Sequence, residues 1–285
     1  MVKFKTVKES ELYQGKILGF GTFGTVYQGV WIPDHTITRF GNSAKIPVAI
    51  KRLQKNDPET GSAHAEYEKI LDGVYLMTSL DHQHLVKILA VRISTLNLLL
   101  VTPFMPLGNL LDYVRKNQES IDSKHLFTWS TQIALGMAYL EEKGLIHGNL
   151  AARNVLVQNP NCVQITDFGL GENNTLTSKP IQWLAMECIQ DKIFTLKSDV
   201  WAFGVTIWEL LTFGMKPYEG HLPQDIPNIL ERGERLCQPA ICNIELYFIL
   251  VKCWVMEPES GPTFKNLAEE FCWMVQDPGR FLVIQ

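Results

Sequence analysis

The hydrophobic pattern of this chain breaks at Met105-Pro106-Leu107-Gly108, from mainly alternating to helical, and that break limits the folds open to it. Ahead of it, apolar residues alternate and β-branched and aromatic types are frequent, as in strands with one buried face. Lys16-Ile17-Leu18 runs into Gly19-Phe20-Gly21-Thr22-Phe23-Gly24-Thr25-Val26-Tyr27, then Val30-Trp31-Ile32, which reads as two strands joined by a glycine turn. Residues 33–44 are polar and read as a hairpin loop, 46–53 as a third strand, 56–62 as a loop, and 85–93 and 96–104 as two more strands. One helix interrupts them over 66–79, where Ile70, Leu71, Val74 and Met77 have helical spacing. After Gly108 the spacing is helical over 110–115, 123–143, 198–213, 226–233, 244–255 and 264–275. The expectation is a two-lobed α+β fold. It has a leading segment 1–14, a β-rich lobe 15–104 with one main helix, a mainly helical lobe 105–275 and a closing segment 276–285.

Composition narrows the function classes. The chain has 285 residues, enough for two lobes, with 46% apolar and 20% charged residues and a net charge of -4. An acidic balance of that kind argues against a nucleic-acid partner. The six cysteines have no paired metal-ligand spacing and read as reduced core thiols of a cytosolic protein. The start is basic and polar rather than a signal peptide, and the longest apolar stretch, 246–255, holds Lys252 and is too short to span a bilayer.

Two groups of residues carry candidate chemistry. Gly19, Gly21, Gly24 and Val26 form a glycine triplet between strands, where backbone can approach phosphate oxygens with no Cβ in the way. A plain hairpin is the simpler alternative. Lys51 ends Val48-Ala49-Ile50-Lys51, an apolar strand in which an unpaired ammonium is costly to bury; the alternative is a lysine snorkelling from an edge strand. Further on, His147-Gly148-Asn149-Leu150-Ala151-Ala152-Arg153-Asn154 is followed by Asp167-Phe168-Gly169.

This second group resembles the catalytic loop H-R-D-L-x-x-x-N and the D-F-G metal loop of protein kinases, with the Ala-Ala-Arg of the tyrosine-specific branch. The glycine triplet and Val48–Lys51 resemble that family's phosphate loop and lysine strand. The resemblance narrows to the ErbB (epidermal growth factor receptor) family through Ile70-Leu71-Asp72-Gly73-Val74-Tyr75-Leu76-Met77, Val7–Leu12 at the start and 277–285 at the end, and spans nearly the whole chain. It implies ATP and Mg²⁺ as cofactors. Adenine would lie against Val26, Ala49, Thr102, Pro103, Met105 and Leu156, phosphates by Gly19, Gly21, Gly24 and Lys51, and metal on Asn154 and Asp167. It also implies a soluble piece of a single-pass receptor on the cytoplasmic side of the plasma membrane, joined to membrane only through parts outside this sequence, and an ErbB kinase domain as partner in an asymmetric dimer.

The departures from the pattern lie on the chemical side. Asn149 stands where the family has its catalytic Asp, beside Arg153, and an amide cannot take a proton at neutral pH. Gly148 replaces the loop Arg. Gly73 falls where the family's Glu pairs the strand lysine, with Asp72 and Glu66 as poor substitutes by angle and distance. Gly261 stands in an S-R-P-type motif whose Arg pairs with Glu187, so water or Gln182 is expected near Glu187. The segment after Leu170 has Thr175, Thr177 and Ser178 but no tyrosine. Together these most resemble the third, kinase-impaired ErbB member. The helix at 244–255 is apolar almost all round, and Ile244, Phe248 and Val251 match the family's activator contacts, with ordinary core as the alternative. The resemblance therefore implies a pseudokinase that binds ATP and activates a partner allosterically. A weakly active tyrosine kinase and a nucleotide-free scaffold stay open as alternatives.

Overall fold

In the computed structural model the described residues are 5–21, 24–33, 44–53, 63–94, 98–168 and 179–284, without the side chains of Gly21 and of residues 63–70. The sequence features at Thr22, Phe23 and Gly169, most of the two loops expected at 33–44 and 56–62, and Thr175, Thr177 and Ser178 lie outside them. The chain forms two compact units, residues 1–81 with 86–105, and residues 82–85 with 106–285.

The first unit is built on an antiparallel sheet of five strands, β1 (Leu12–Gly21), β2 (Gly24–Trp31), β3 (Ile46–Leu53), β4 (Ala90–Ile93) and β5 (Leu98–Pro103), in the order β1-β2-β3-β5-β4. Its α-helix α1 (Ala63–Ser79) buries Val74 and Met77. One sheet face carries a core of Val48, Ile50, Leu99, Val101, Ala90, Trp31 and Val7. Strand alternation puts Ala49 and Lys51 on the other face. Only β4 is much shorter than the sequence suggested. Residues 82–85 belong to the second unit instead, where the Ile165 amide donates to the His84 carbonyl at 2.8 Å and Leu85 bridges Ile165.

The second unit is helical around α5 (Leu196–Leu211), which is buried along nearly its whole length. Thr195 and Ser198 cap it reciprocally, which sets its start two residues before the apolar pattern suggests. Around it lie α2 (Leu110–Lys116), α3 (Ser123–Glu142), the short α4 (Met186–Gln190), α6 (Ile226–Glu231), α7 (Ile244–Cys253) and α8 (Phe264–Met274). Phe203, Phe264 and Phe271 meet edge to face between α5 and α8. A two-stranded sheet, β6 (Val155–Asn159) and β7 (Cys162–Ile165), was not legible in the sequence. The α+β expectation is borne out. The cysteine reading needs correction: all six are free, and Cys188, Cys242 and Cys253 are buried, but Cys237 and Cys272 are exposed. Among the described residues no helix is long and apolar enough to cross a membrane.

Candidate active site

In the first unit the register gathers the nucleotide candidates. Val26 pairs with Lys51, and Ala49 pairs with Thr102. Directly paired antiparallel residues share a face, so all four lie on the sheet face opposite the Val48–Ile50 core. Gly19 pairs with Val26 and Gly21 with Gly24, which brings the glycines to the closing end of the same hairpin. Gly24 has φ +142°, and a Cβ there would run into the Arg52 carbonyl, so only glycine fits. Lys51 is buried. Beyond Thr102, the Phe104 amide is held by the Pro47 carbonyl, and Pro103 and Met105 follow at the edge of this unit. Gly73 is half-buried inside α1 and Asp72 is exposed, while the Glu66 side chain is outside the described residues.

In the second unit, the loop from His147 to Asn154 is held from below by two buried carboxylates of α5. Asp199 accepts from the His147 amide at 2.6 Å and from the Gly148 amide at 2.8 Å. Glu209 accepts from the Ala152 amide and from the Trp183 indole, both at 2.9 Å. The two acids are ten residues apart on one helix, roughly 15 Å along its axis, so they grip both ends of the loop. Burial pushes both carboxyls up to about 7, against the pull of the N–H donors. His147 is fully buried; its Nδ1 faces the Asn149 amide at 3.2 Å, which assigns the proton to Nε2, 3.0 Å from the Thr166 carbonyl. Desolvation lowers its pKa to about 4, so the ring is neutral.

Gly148 has φ +67°, a left-handed conformation fixed by its bond to Asp199. Any side chain there bears strain, the family's arginine included. Gly148→Ala is expected to lower stability by about 1 kcal/mol, read as a fall of roughly 2–4 °C in the melting temperature.

Asn149 is 7% exposed. Its Oδ1 accepts from the Arg153 guanidinium at 3.3 Å, and its Nδ2 is buried with no hydrogen-bond partner among the described residues. Arg153 also lies over the Trp183 ring at 4.6 Å. The Asn154 amide nitrogen donates to the Asn149 carbonyl at 2.6 Å, which turns Asn154 Oδ1 the other way. Asp167 has φ +67°, a conformation short polar side chains tolerate, and accepts from the Thr166 hydroxyl. Amide oxygen and carboxylate oxygen from adjoining turns are the hard donors Mg²⁺ takes, so Asn154 and Asp167 fit that ion. Leu156, on β6, is half-buried and bridges Asn109.

Around Gly261 the backbone carbonyls are held by a lysine. Lys197 donates to the Gly261 carbonyl at 2.7 Å and to the Pro262 carbonyl at 3.3 Å. Burial raises the Glu187 carboxyl above its usual range. Glu209, Trp183 and Lys197 had not been singled out as site residues. For Glu209 there was a signal, an acid inside the otherwise apolar run 200–211.

A family model described as protein tyrosine and serine/threonine kinase matches residues 12–271, and the chain belongs to that family. Within it, the sequence is similar to ErbB-type receptors. It is 51% identical over 294 residues to the epidermal growth factor receptor of Apis mellifera, covering 100% of this chain and 22% of that protein. It is 50% identical over 293 residues to the Drosophila melanogaster epidermal growth factor receptor, covering 100% of this chain and 20% of the receptor. Against the Homo sapiens receptor tyrosine-protein kinase erbB-4 it is 50% identical over 292 residues, 99% of this chain and 21% of that protein. The chain thus spans about a fifth of the length of these relatives.

Proposed function

We propose that this is the pseudokinase domain of an ErbB-type receptor, lying on the cytoplasmic side of the plasma membrane. It holds ATP with Mg²⁺ and activates a competent ErbB kinase domain in an asymmetric heterodimer, with little or no phosphotransfer of its own. The observation that carries the reading is α7. Leu246, Ile249, Leu250 and Cys253 are buried, whereas Ile244 is 64% and Phe248 58% exposed, with Val251 between these extremes. Large apolar side chains one helical turn apart form an exposed stripe, and docking through it needs no catalytic base.

The chemical half of the site supports the same reading. Asn149 keeps the place and the Arg153 contact suited to a carboxylate but has no proton acceptor to offer. ATP supplies the charged phosphates and Mg²⁺ their neutralisation. Gly19, Gly21, Gly24 and Lys51 would hold the phosphates, Val26, Ala49, Thr102, Pro103, Met105 and Leu156 the base, and Asn154 and Asp167 the metal. Saturating ATP and Mg²⁺, at about 100 times Kd, is expected to stabilise the fold by about 2.7 kcal/mol. The melting temperature should rise by several degrees, less so in Asp167→Asn. No shift, with partner activation intact, would make the chain a nucleotide-free scaffold. The Asn154 and Asp167 geometry also favours a second reading, slow base-independent transfer. Labelled-ATP transfer that vanishes in Asp167→Asn would establish it.

A further inference from the structure

Residues 82–85 lie in the second unit, although the chain on either side of them belongs to the first. Polar contacts fix this short turn. The Ile165 amide donates to the His84 carbonyl at 2.8 Å, and the Gln164 side-chain amide donates to the Gln83 carbonyl at 3.0 Å. His84, 6% exposed, directs Nδ1 at the Val163 carbonyl 3.2 Å away, which puts a proton on that nitrogen. Facing the turn, α3 has Gly136, where a Cβ would come within 3.1 Å of the His84 carbonyl and 2.8 Å of Ile165 Cδ1. The turn is therefore seated closely on α3 and β7.

A second imidazole closes it. His82 Nδ1 accepts from the His84 amide at 3.2 Å. An accepting ring nitrogen has no proton, so neutral His82 has its proton on Nε2. The ring is stacked on Tyr139 of α3, with centroids 5.0 Å apart and planes at 19°, and meets the His84 ring edge-on at 5.6 Å. A second proton on His82 would set N–H against N–H at the His84 amide and put a positive charge beside His84. Stacking on Tyr139 does little to offset this, because the Lys143 ammonium already lies 5.3 Å from the centre of that ring. Of the charged groups around His82, Lys143 pairs with Glu142 at 3.6 Å and Asp81 with Lys87 at 3.0 Å. Val163, Gln164 and Ile165, the β7 residues that hold the turn, do not titrate.

We propose that His82 is an acid-sensitive clasp: neutral, it closes the turn at residues 82–85 onto the second unit, and protonated, it lets the turn open. Histidine is the side chain whose ordinary titration lies closest to neutral pH. Burial lowers the pKa of both rings, and a charge on His82 lowers that of His84 further. His82 takes the proton first, being half-buried where His84 is buried. The closed turn binds that proton less tightly than the open chain does. Stability from the clasp is therefore complete above the ordinary histidine value of 6.5 and is lost as pH falls through the lowered one. The clasp needs neither nucleotide nor partner kinase, so it stands apart from the docking role.

Amide hydrogen exchange of the purified chain, followed residue by residue from about pH 7.5 down to about pH 5, tests this. The Leu85 and Ile165 amides report the turn, because they donate to the His82 and His84 carbonyls. Their protection, taken relative to the buried Val205 amide of α5, is expected to fall by up to about tenfold per pH unit below pH ~6.5. The midpoint of the loss should coincide with the titration of the His82 ring. His82→Asn keeps an oxygen acceptor for the His84 amide and removes the titrating ring, so its protection should stay level over the same range. Level protection in the wild type would overturn the proposal. So would an equal loss in the wild type and His82→Asn, which would assign the effect to another group.

Discussion

Phe248→Arg is expected to abolish the rise in activity that this chain produces in a competent ErbB kinase domain when both are crowded on a vesicle surface. Phe248 presents its ring outward from α7, with the Lys252 ammonium 5.6 Å from the ring centre and Ile244 one turn before it. A large apolar side chain at the centre of an interface costs ~2 kcal/mol or more when lost, and a buried unpaired guanidinium adds to that. Affinity should fall more than about thirtyfold. The substitution touches no core residue, so the melting temperature should move by no more than ~2 °C. Val251 is the weaker test position, because it is half-buried and its replacement also disturbs packing. Undiminished activation by Phe248→Arg would remove α7 from the proposal.

Asp199→Ala should be the most damaging single change in the support of the His147–Asn154 loop. It orphans the amides of His147 and Gly148, which bond to Asp199 at 2.6 and 2.8 Å in a fully buried place. Taking about 1–3 kcal/mol per orphaned donor, the loss is roughly 2–6 kcal/mol. The corresponding fall in melting temperature is on the order of 10 °C. The same residue carries a pH signature. Its folded pKa, raised to about 7 by burial, lies above the ordinary carboxylate value of 3.8. The folded state therefore holds this proton more tightly than the unfolded chain does. Stability from this group is full below pH ~4 and is lost as pH rises through 7. Melting curves of the wild type and Asp199→Asn, compared across that window, isolate it from Glu209 and His147. The wild type should lose stability relative to the variant as pH rises. Parallel profiles would show that the two N–H bonds cancel the burial.

Much of the fold was legible because it is local. Alternation marks β1, β2, β3 and β5, and three- and four-residue spacing marks the principal helices. β4 and the β6–β7 pair were misjudged because four- and five-residue apolar runs do not distinguish strand from coil, and pairing partners settle it. Leu85 reads as the start of a strand over 85–93 but lies in the second unit, where it bridges Ile165 beside the His84 carbonyl that accepts from the Ile165 amide.

By itself the sequence determined the order of strands and helices, and it placed Asn149 where the loop it resembles has an aspartate. Each is written in short stretches whose spacing carries the information. Only the tertiary structure decided that the Oδ1 of Asn149 faces Arg153. It alone showed Asp199 and Glu209 gripping a loop 52 and 57 residues away, and Lys197 donating to the Gly261 and Pro262 carbonyls. It also decided which apolar residues of α7 stay outside. A helix apolar on every side does not say which stripe is buried until its neighbours are packed against it.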